Sequence, residues 1–290
     1  MEPSEFHTDP PAWARNVSGL AWAIVFYLLT FILWQLLGWA LLGVVEDRLL
    51  LAAMPLLAAN LITNFALPRP DGIGPWEGLG FSGHDFKRPL FGGIGLTAAS
   101  GIAVLLALYA MGEIGLANSG EGIVLYAAPM LAAAAFGEEL FFRGYGFQQL
   151  GRAITPTGAA LFTGMAFGFV HHSNPEVSEV AVANTVLFGI LFGLGWVWSR
   201  SFWLPYGLHV GWNFALAALG APVSGLKIKG TSLETVPAGS SLWDGGAYGP
   251  EGGLAATLVV LMLLRVAWKL RGLNQSGRLI WDDARPEKGG

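Results

Sequence analysis

The chain has 290 residues, 53% of them hydrophobic and only 12% charged, with a formal net charge of −4 and a mean hydropathy of +0.53. A soluble domain carries about 25% charged residues, so half that share reads as a multi-span membrane protein, and the small net charge gives no sign of a nucleic-acid partner. Twelve Trp and 41 Gly fit a bilayer, while the absence of Cys excludes disulfides, thiolate metal ligands and a Cys nucleophile.

Residues 1–18 read as a polar N-terminal lead whose acids and prolines replace the basic region of a cleavable signal peptide, so none is expected. Residues 19–270 read as a single all-α membrane domain of eight spans, and 271–290 as a polar C-terminal tail. The first span is Gly19 to Val45, ended by Glu46, Asp47 and Arg48; the second is Leu49 to Leu67, closed by Pro68-Arg69-Pro70. A Gly-rich polar connection leads to the third, Leu90 to Met111. The fourth runs from Ile123 to Leu150, longer than the about 20 residues a span needs, and is expected to tilt or project. Thr157 to Val170 is a short fifth, Val180 to Trp198 the sixth and Phe202 to Leu219 the seventh. A Gly-, Ser- and Pro-rich loop, Ala221 to Gly253, precedes the eighth, Leu254 to Trp268. No internal repeat is evident.

Lys and Arg in the connections set orientation. Eleven of the 16 (Arg15, Arg69, Lys87, Arg88, Arg152, Arg200, Lys269, Arg271, Arg278, Arg285 and Lys288) fall on the side of the termini, against Arg48, Lys227 and Lys229 opposite. Cytoplasmic termini in a multi-pass cell-membrane protein follow. Small-residue pairs, Gly164 with Gly168, Gly189 with Gly193 and Gly207 with Gly211, predict a tight bundle of spans five to seven.

The fourth span carries the chemistry. In LAAAAFGEELFFRGYGF, Glu138, Glu139 and Arg143 interrupt an apolar run. An ionisable side chain at bilayer depth costs roughly 2.5 kcal/mol or more and marks a cavity or a partner. Glu139 and Arg143, at i and i+4, suit a structural ion pair, which leaves Glu138 over. His171 ends span five, and His209 and Asn213 share one face of span seven. Side chains of this kind on three spans are most simply served by one cavity. His172, about 100° around from its neighbour, reads as a loop or supporting residue.

A partly desolvated carboxylate acts as a general base toward water, and imidazole and carboxamide groups can stabilise an oxyanion. That set suffices to hydrolyse an amide. Glu138, His171 and His209 could instead hold a divalent metal, although no H-E-x-x-H or Cys cluster occurs. Neither a G-x-S-x-G nor a G-x-G-D pattern lies in a span.

Glu138-Glu139-Leu-Phe-Phe-Arg143 resembles the E-E-x-x-x-R motif of the type II CAAX prenyl endopeptidase family, also called CPBP or Abi. Phe167 to His171 is similar to its F-x-x-x-H motif and His209 to Asn213 to its H-x-x-x-N/B motif, in the family's order, over roughly Ile123 to Leu219. The resemblance implies a glutamic-type intramembrane endopeptidase that works without a metal or other cofactor. It implies Glu138 as the base that activates water, His171 as its partner, and His209 and Asn213 as the oxyanion hole, with Glu139 and Arg143 supporting. The substrate would be a peptide or membrane protein, with or without a lipid group, met among membrane lipids. The competing functions are a non-catalytic scaffold or immunity protein and a proton-coupled transporter. Counting along span five puts His171 near its outer end while Glu138 and Asn213 fall nearer mid-depth.

Overall fold

In a computed structural model, the described residues are 11–69, 74–81, 86–120, 124–228 and 231–271. The proposed lead before residue 11 and the tail beyond 271 lie outside them.

The helices follow the apolar runs closely. They are α1 (Ala12–Leu41), α2 (Arg48–Ala66), the single turn α3 (Pro75–Gly78), α4 (Lys87–Ala110), α5 (Val124–Arg143), α6 (Tyr145–Ala153), α7 (Pro156–Val170), α8 (Glu179–Ser199), α9 (Trp203–Ala218), the turn α10 (Ser241–Asp244) and α11 (Leu254–Leu270). Local chemistry sets several ends. Asp47 caps α2 by accepting from Leu50 N at 2.9 Å, and Thr155 caps α7 by accepting from Gly158 N at 2.9 Å, with Pro156 in the first helical position. Ser178 caps α8, which ends at Arg200 in the left-handed conformation.

Among the described residues three helical stretches are long and apolar enough to cross a membrane, Trp13–Leu41, Lys87–Ala110 and Glu179–Ser199, while Leu50–Ala66 is a shorter apolar helix. Of the other apolar helices, α7, α9 and α11 are short, with 15, 16 and 17 residues, and the 20-residue α5 carries Glu138, Glu139 and Arg143. The eight apolar runs are therefore helical, and the number that span is not fixed by length alone.

Three features differ from the sequence reading. First, α1 begins at Ala12, inside the expected polar lead. Second, the long fourth span is two helices that break at Gly144. There Asn64 of α2 inserts: its Oδ1 accepts from Tyr145 N at 2.7 Å and its Nδ2 donates to Leu140 O at 3.3 Å. A Cβ on Gly144 would collide with that Asn64 side chain and with Leu140 O. Third, an otherwise helical chain adds a small antiparallel sheet, β1 (Ile114–Asn118) with β2 (Leu233–Pro237), Ile114 opposite Pro237 and Asn118 opposite Leu233. It ties the α4–α5 connection to the loop after α9.

The helices pack as α1 with α2 and α6, α2 with α5, α4 with α9, and α7 with α8, and α11 leans on α8. The main core gathers Val104 and Leu108 of α4, Phe188, Leu191 and Phe192 of α8, and Leu208, Trp212 and Leu216 of α9. The glycine pairs act where expected on α7 and α8: a Cβ on Gly189 would lie 2.9 Å from Gly164 Cα, and one on Gly193 3.0 Å from Ala160 Cα. Gly207 and Gly211 differ. They press on Leu90 O and Ile94 O of α4, so this pair joins spans three and seven, not the late bundle.

Candidate active site

Five helices, α2, α5, α7, α8 and α9, and the loop after α9 meet at one cavity of about 190 Å³, whose lining includes Glu138, His171, His209 and Asn213. Glu138 comes from the penultimate turn of α5, His171 from the residue that caps α7 and opens a 3₁₀ turn, and His209 and Asn213 from successive turns of α9. The first turns of α2 and the loop after α9 close the sides with Ala52, Ala53 and Ser224.

Glu138 Oε2 stands 3.8 Å from His209 Nε2 and 4.0 Å from His171 Nε2, and its side chain is 26% exposed to the cavity. Both distances exceed hydrogen-bonding length and suit a bridging oxygen. The His171 ring is fixed from behind. Nδ1–H donates to Phe167 O at 2.7 Å, because a carbonyl only accepts, and Nε2 of the neutral ring then faces the cavity as an acceptor.

Glu139 turns the other way and is fully buried. Its Oε1 accepts from Arg143 Nη1 at 3.0 Å and from His209 Nδ1–H at 2.9 Å. Arg143 is as buried, donates Nη2–H to Gly189 O at 2.7 Å, and lies 5.0 to 5.5 Å from the centroids of Phe142, Phe167 and Phe192. Cation–π contact and charge-assisted hydrogen bonds together offset the desolvation of such a pair. Phe192 stacks on the His209 ring at 5.0 Å and 18°. The arrangement Arg143–Glu139–His209 thus fixes the imidazole by its far nitrogen and aims Nε2 at Glu138.

Of the sequence-predicted residues, the structure brings Glu138, Glu139, Arg143, His171 and His209 into one connected group, with Asn213 on the same cavity wall. His172 stands apart: it is exposed and does not line the cavity. Its one-residue offset on the helical turn sends it outward, away from the cavity. Although counting along the chain separates them in depth, the end of the 15-residue α7 brings His171 Nε2 to 4.0 Å from Glu138 Oε2.

Glu251 was missed. It is 8% exposed, lines the cavity, and arrives from the loop after α9, where a lone acid in a Gly-rich stretch carries no sequence signal. Among the described residues no group of three His, Asp or Glu side chains is disposed to hold a metal ion.

Comparison with known proteins bears on the same segment. Residues 120–215 match the family model described as type II CAAX prenyl endopeptidase Rce1-like. The match contains every residue of the constellation apart from Glu251. The chain is also similar to "Uncharacterized protein YyaK" of Bacillus subtilis (strain 168), 30% identical over 134 residues, which are 44% of this chain and 44% of that protein. The chain thus aligns with under half the length of that relative.

Proposed function

We propose, from the premise that residues 120–215 are a type II CAAX prenyl endopeptidase segment, that this protein is an intramembrane endopeptidase using a glutamate-activated water. The observation that carries the reading is Glu138 Oε2 held 3.8 and 4.0 Å from two imidazole nitrogens on the wall of a cavity. A water between Glu138 Oε2 and His171 Nε2 donates one hydrogen to each acceptor, which leaves an oxygen lone pair free to attack. Glu138 takes the proton as the water oxygen bonds to the scissile carbonyl carbon. His209, presenting Nε2–H while Glu139 holds Nδ1–H, and the Asn213 carboxamide donate to the resulting oxyanion. Collapse breaks the C–N bond, and Glu138 returns the proton to the leaving amine.

The substrate is a peptide or membrane protein reached within the bilayer, in a chain that we read as crossing eight times. We write the reaction without a metal; an ion held by Glu138, His171 and His209 is the competing chemistry. The non-catalytic scaffold is disfavoured by Glu138 itself, since a cavity-wall carboxylate whose Oε2 accepts no hydrogen bond adds little to packing.

The test is cleavage of a quenched-fluorescence peptide library, including a farnesylated CAAX peptide, by the detergent-solubilised protein with and without a chelator. Cleavage that survives chelation and disappears in Glu138→Gln is expected. Chelator-sensitive cleavage moves the chemistry to a metal, and cleavage undiminished in Glu138→Gln removes Glu138 from the mechanism.

A further inference from the structure

The connection between α9 and α11 reads from sequence as a plain Gly-rich loop, yet it delivers a buried carboxylate to the cavity. Glu251 lies in the 3₁₀ turn Pro250–Gly252. The residue before that turn, Gly249, has φ +98° and ψ 179°, a region open essentially to glycine alone. The backbone is then fixed to α8, where Asn184 Nδ2 donates to Glu251 O at 2.8 Å and to Gly253 O at 2.9 Å. Asn184 Oδ1 in turn accepts from Thr257 Oγ1 of α11 at 2.7 Å. The loop is therefore anchored without the Glu251 side chain. A carboxylate is among the costliest groups to bury, so its presence at 8% exposure calls for a separate reason.

Its contacts supply one. Glu251 Oε1 accepts from the Trp212 indole Nε1–H at 2.9 Å, and Oε2 accepts from Ser224 N and from Ser224 Oγ, the latter at 3.3 Å. Trp212 precedes Asn213 and stands three residues beyond His209 on α9. Its ring packs on Phe188 at 4.7 Å, Phe188 on Phe192 at 6.0 Å, and Phe192 on His209 at 5.0 Å. The indole orientation is thereby continuous with the stack that holds the His209 ring.

We propose that Glu251 is a positioning residue: through the Trp212 indole it fixes the α9 turn and the aromatic stack that aim His209 and Asn213 into the cavity. The proposal rests on the hydrolytic reading for its effect on rate, but not for the mechanical coupling itself. On a cleaved peptide, Glu251→Gln is expected to lower kcat roughly 10- to 100-fold, as a small misplacement of catalytic groups does, with KM little changed. Trp212→Phe, which keeps the ring and deletes the N–H, is expected to match it, and the double variant to be no slower than Trp212→Phe alone. Losses that multiply in the double variant, or a wild-type kcat in Trp212→Phe, overturn the proposal.

A second readout needs no substrate. The His209 imidazole ¹H–¹⁵N resonances, assigned by their loss in His209→Ala, are expected to shift in Glu251→Gln when Trp212 is present and to stay in place in the Trp212→Phe background. No shift, or the same shift in both backgrounds, overturns positioning through Trp212. A protein that cleaves no peptide yet shows the Trp212-dependent shift keeps this proposal and loses the hydrolytic one.

Discussion

At the residue scale, adjacent glutamates on α5 have been given opposite surroundings. Glu138 faces the cavity with Oε2 3.8 and 4.0 Å from two imidazole nitrogens, whereas Glu139 is fully buried between Arg143 and His209. Glu138→Gln should therefore abolish cleavage while leaving the thermal midpoint near wild type. Glu139→Ala should do the reverse first, since it strands a buried guanidinium at a cost of about 3–5 kcal/mol. Thermal unfolding of both variants in detergent checks the division, and an unfolded Glu138→Gln beside a stable Glu139→Ala would invert it. His209→Ala is expected to cut kcat roughly 10²- to 10³-fold, the usual loss for one oxyanion donor.

Glu251 adds a pH dependence. Burial pushes its carboxyl above the ordinary 4.5, partly opposed by donors from Ser224 and Trp212, and the titratable groups facing it are His171, His209 and Tyr248. A raised folded value means that the folded state binds this proton more tightly than the unfolded chain. The Glu251 contribution to stability thus grows as pH falls through the folded value toward 4.5 and is level below that. The thermal midpoint of the wild type, measured relative to Glu251→Gln, should rise over that acid window. A falling difference would mean that the carboxylate is stabilised by its charge.

At the scale of elements, close backbone approach decides where His171 sits. The α7–α8 contact depends on Gly164 and Gly189, and a Cβ on Gly164 would lie 2.6 Å from Ile190 Cγ1. Gly164→Leu should push α7 away from α8, lower the thermal midpoint and lose activity together, because His171 rides on the end of α7. Gly92, on α4, has no neighbour within 4 Å of its would-be Cβ. Gly92→Ala should be neutral or stabilise by up to about 1 kcal/mol, the helix-propensity gain. Comparing the two variants separates packing from propensity. The Asn64 wedge at Gly144 has a similar positional effect: it ends α5 at Arg143, so the last turn that carries the ion pair is anchored to α2.

For the whole molecule, the path of the chain gives the cavity a side. It is lined by the first turns of α2, next to where α1 ends, and by Ser224 of the loop that follows α9, both away from the N-terminal end of α1. With cytoplasmic termini, as the Lys and Arg distribution suggests, the site opens away from the cytoplasm. The absence of Cys makes single-cysteine labelling unambiguous. In intact cells a membrane-impermeant maleimide should label Lys227→Cys, whose native side chain is 72% exposed, and reach Trp13→Cys only after permeabilisation. The opposite pattern would turn the molecule over and open the site to the cytoplasm.

The sequence by itself determined the helical runs, the glycine seams and which polar residues needed shelter from lipid, because hydropathy and the cost of burying charge are local properties read residue by residue. It also singled out Glu138, His171, His209 and Asn213, through motifs short enough to lie on single helices. Only the tertiary structure decided that Glu139, besides pairing with Arg143, holds the His209 ring, that His172 points out, that Gly207 and Gly211 meet α4, and that Glu251 enters from a loop 113 residues beyond Glu138. Each of these depends on the angular position of a side chain or on a contact between distant segments. Neither is encoded in spacing; both arise when a short α7, a broken α5 and a glycine-turned loop are packed against the same cavity.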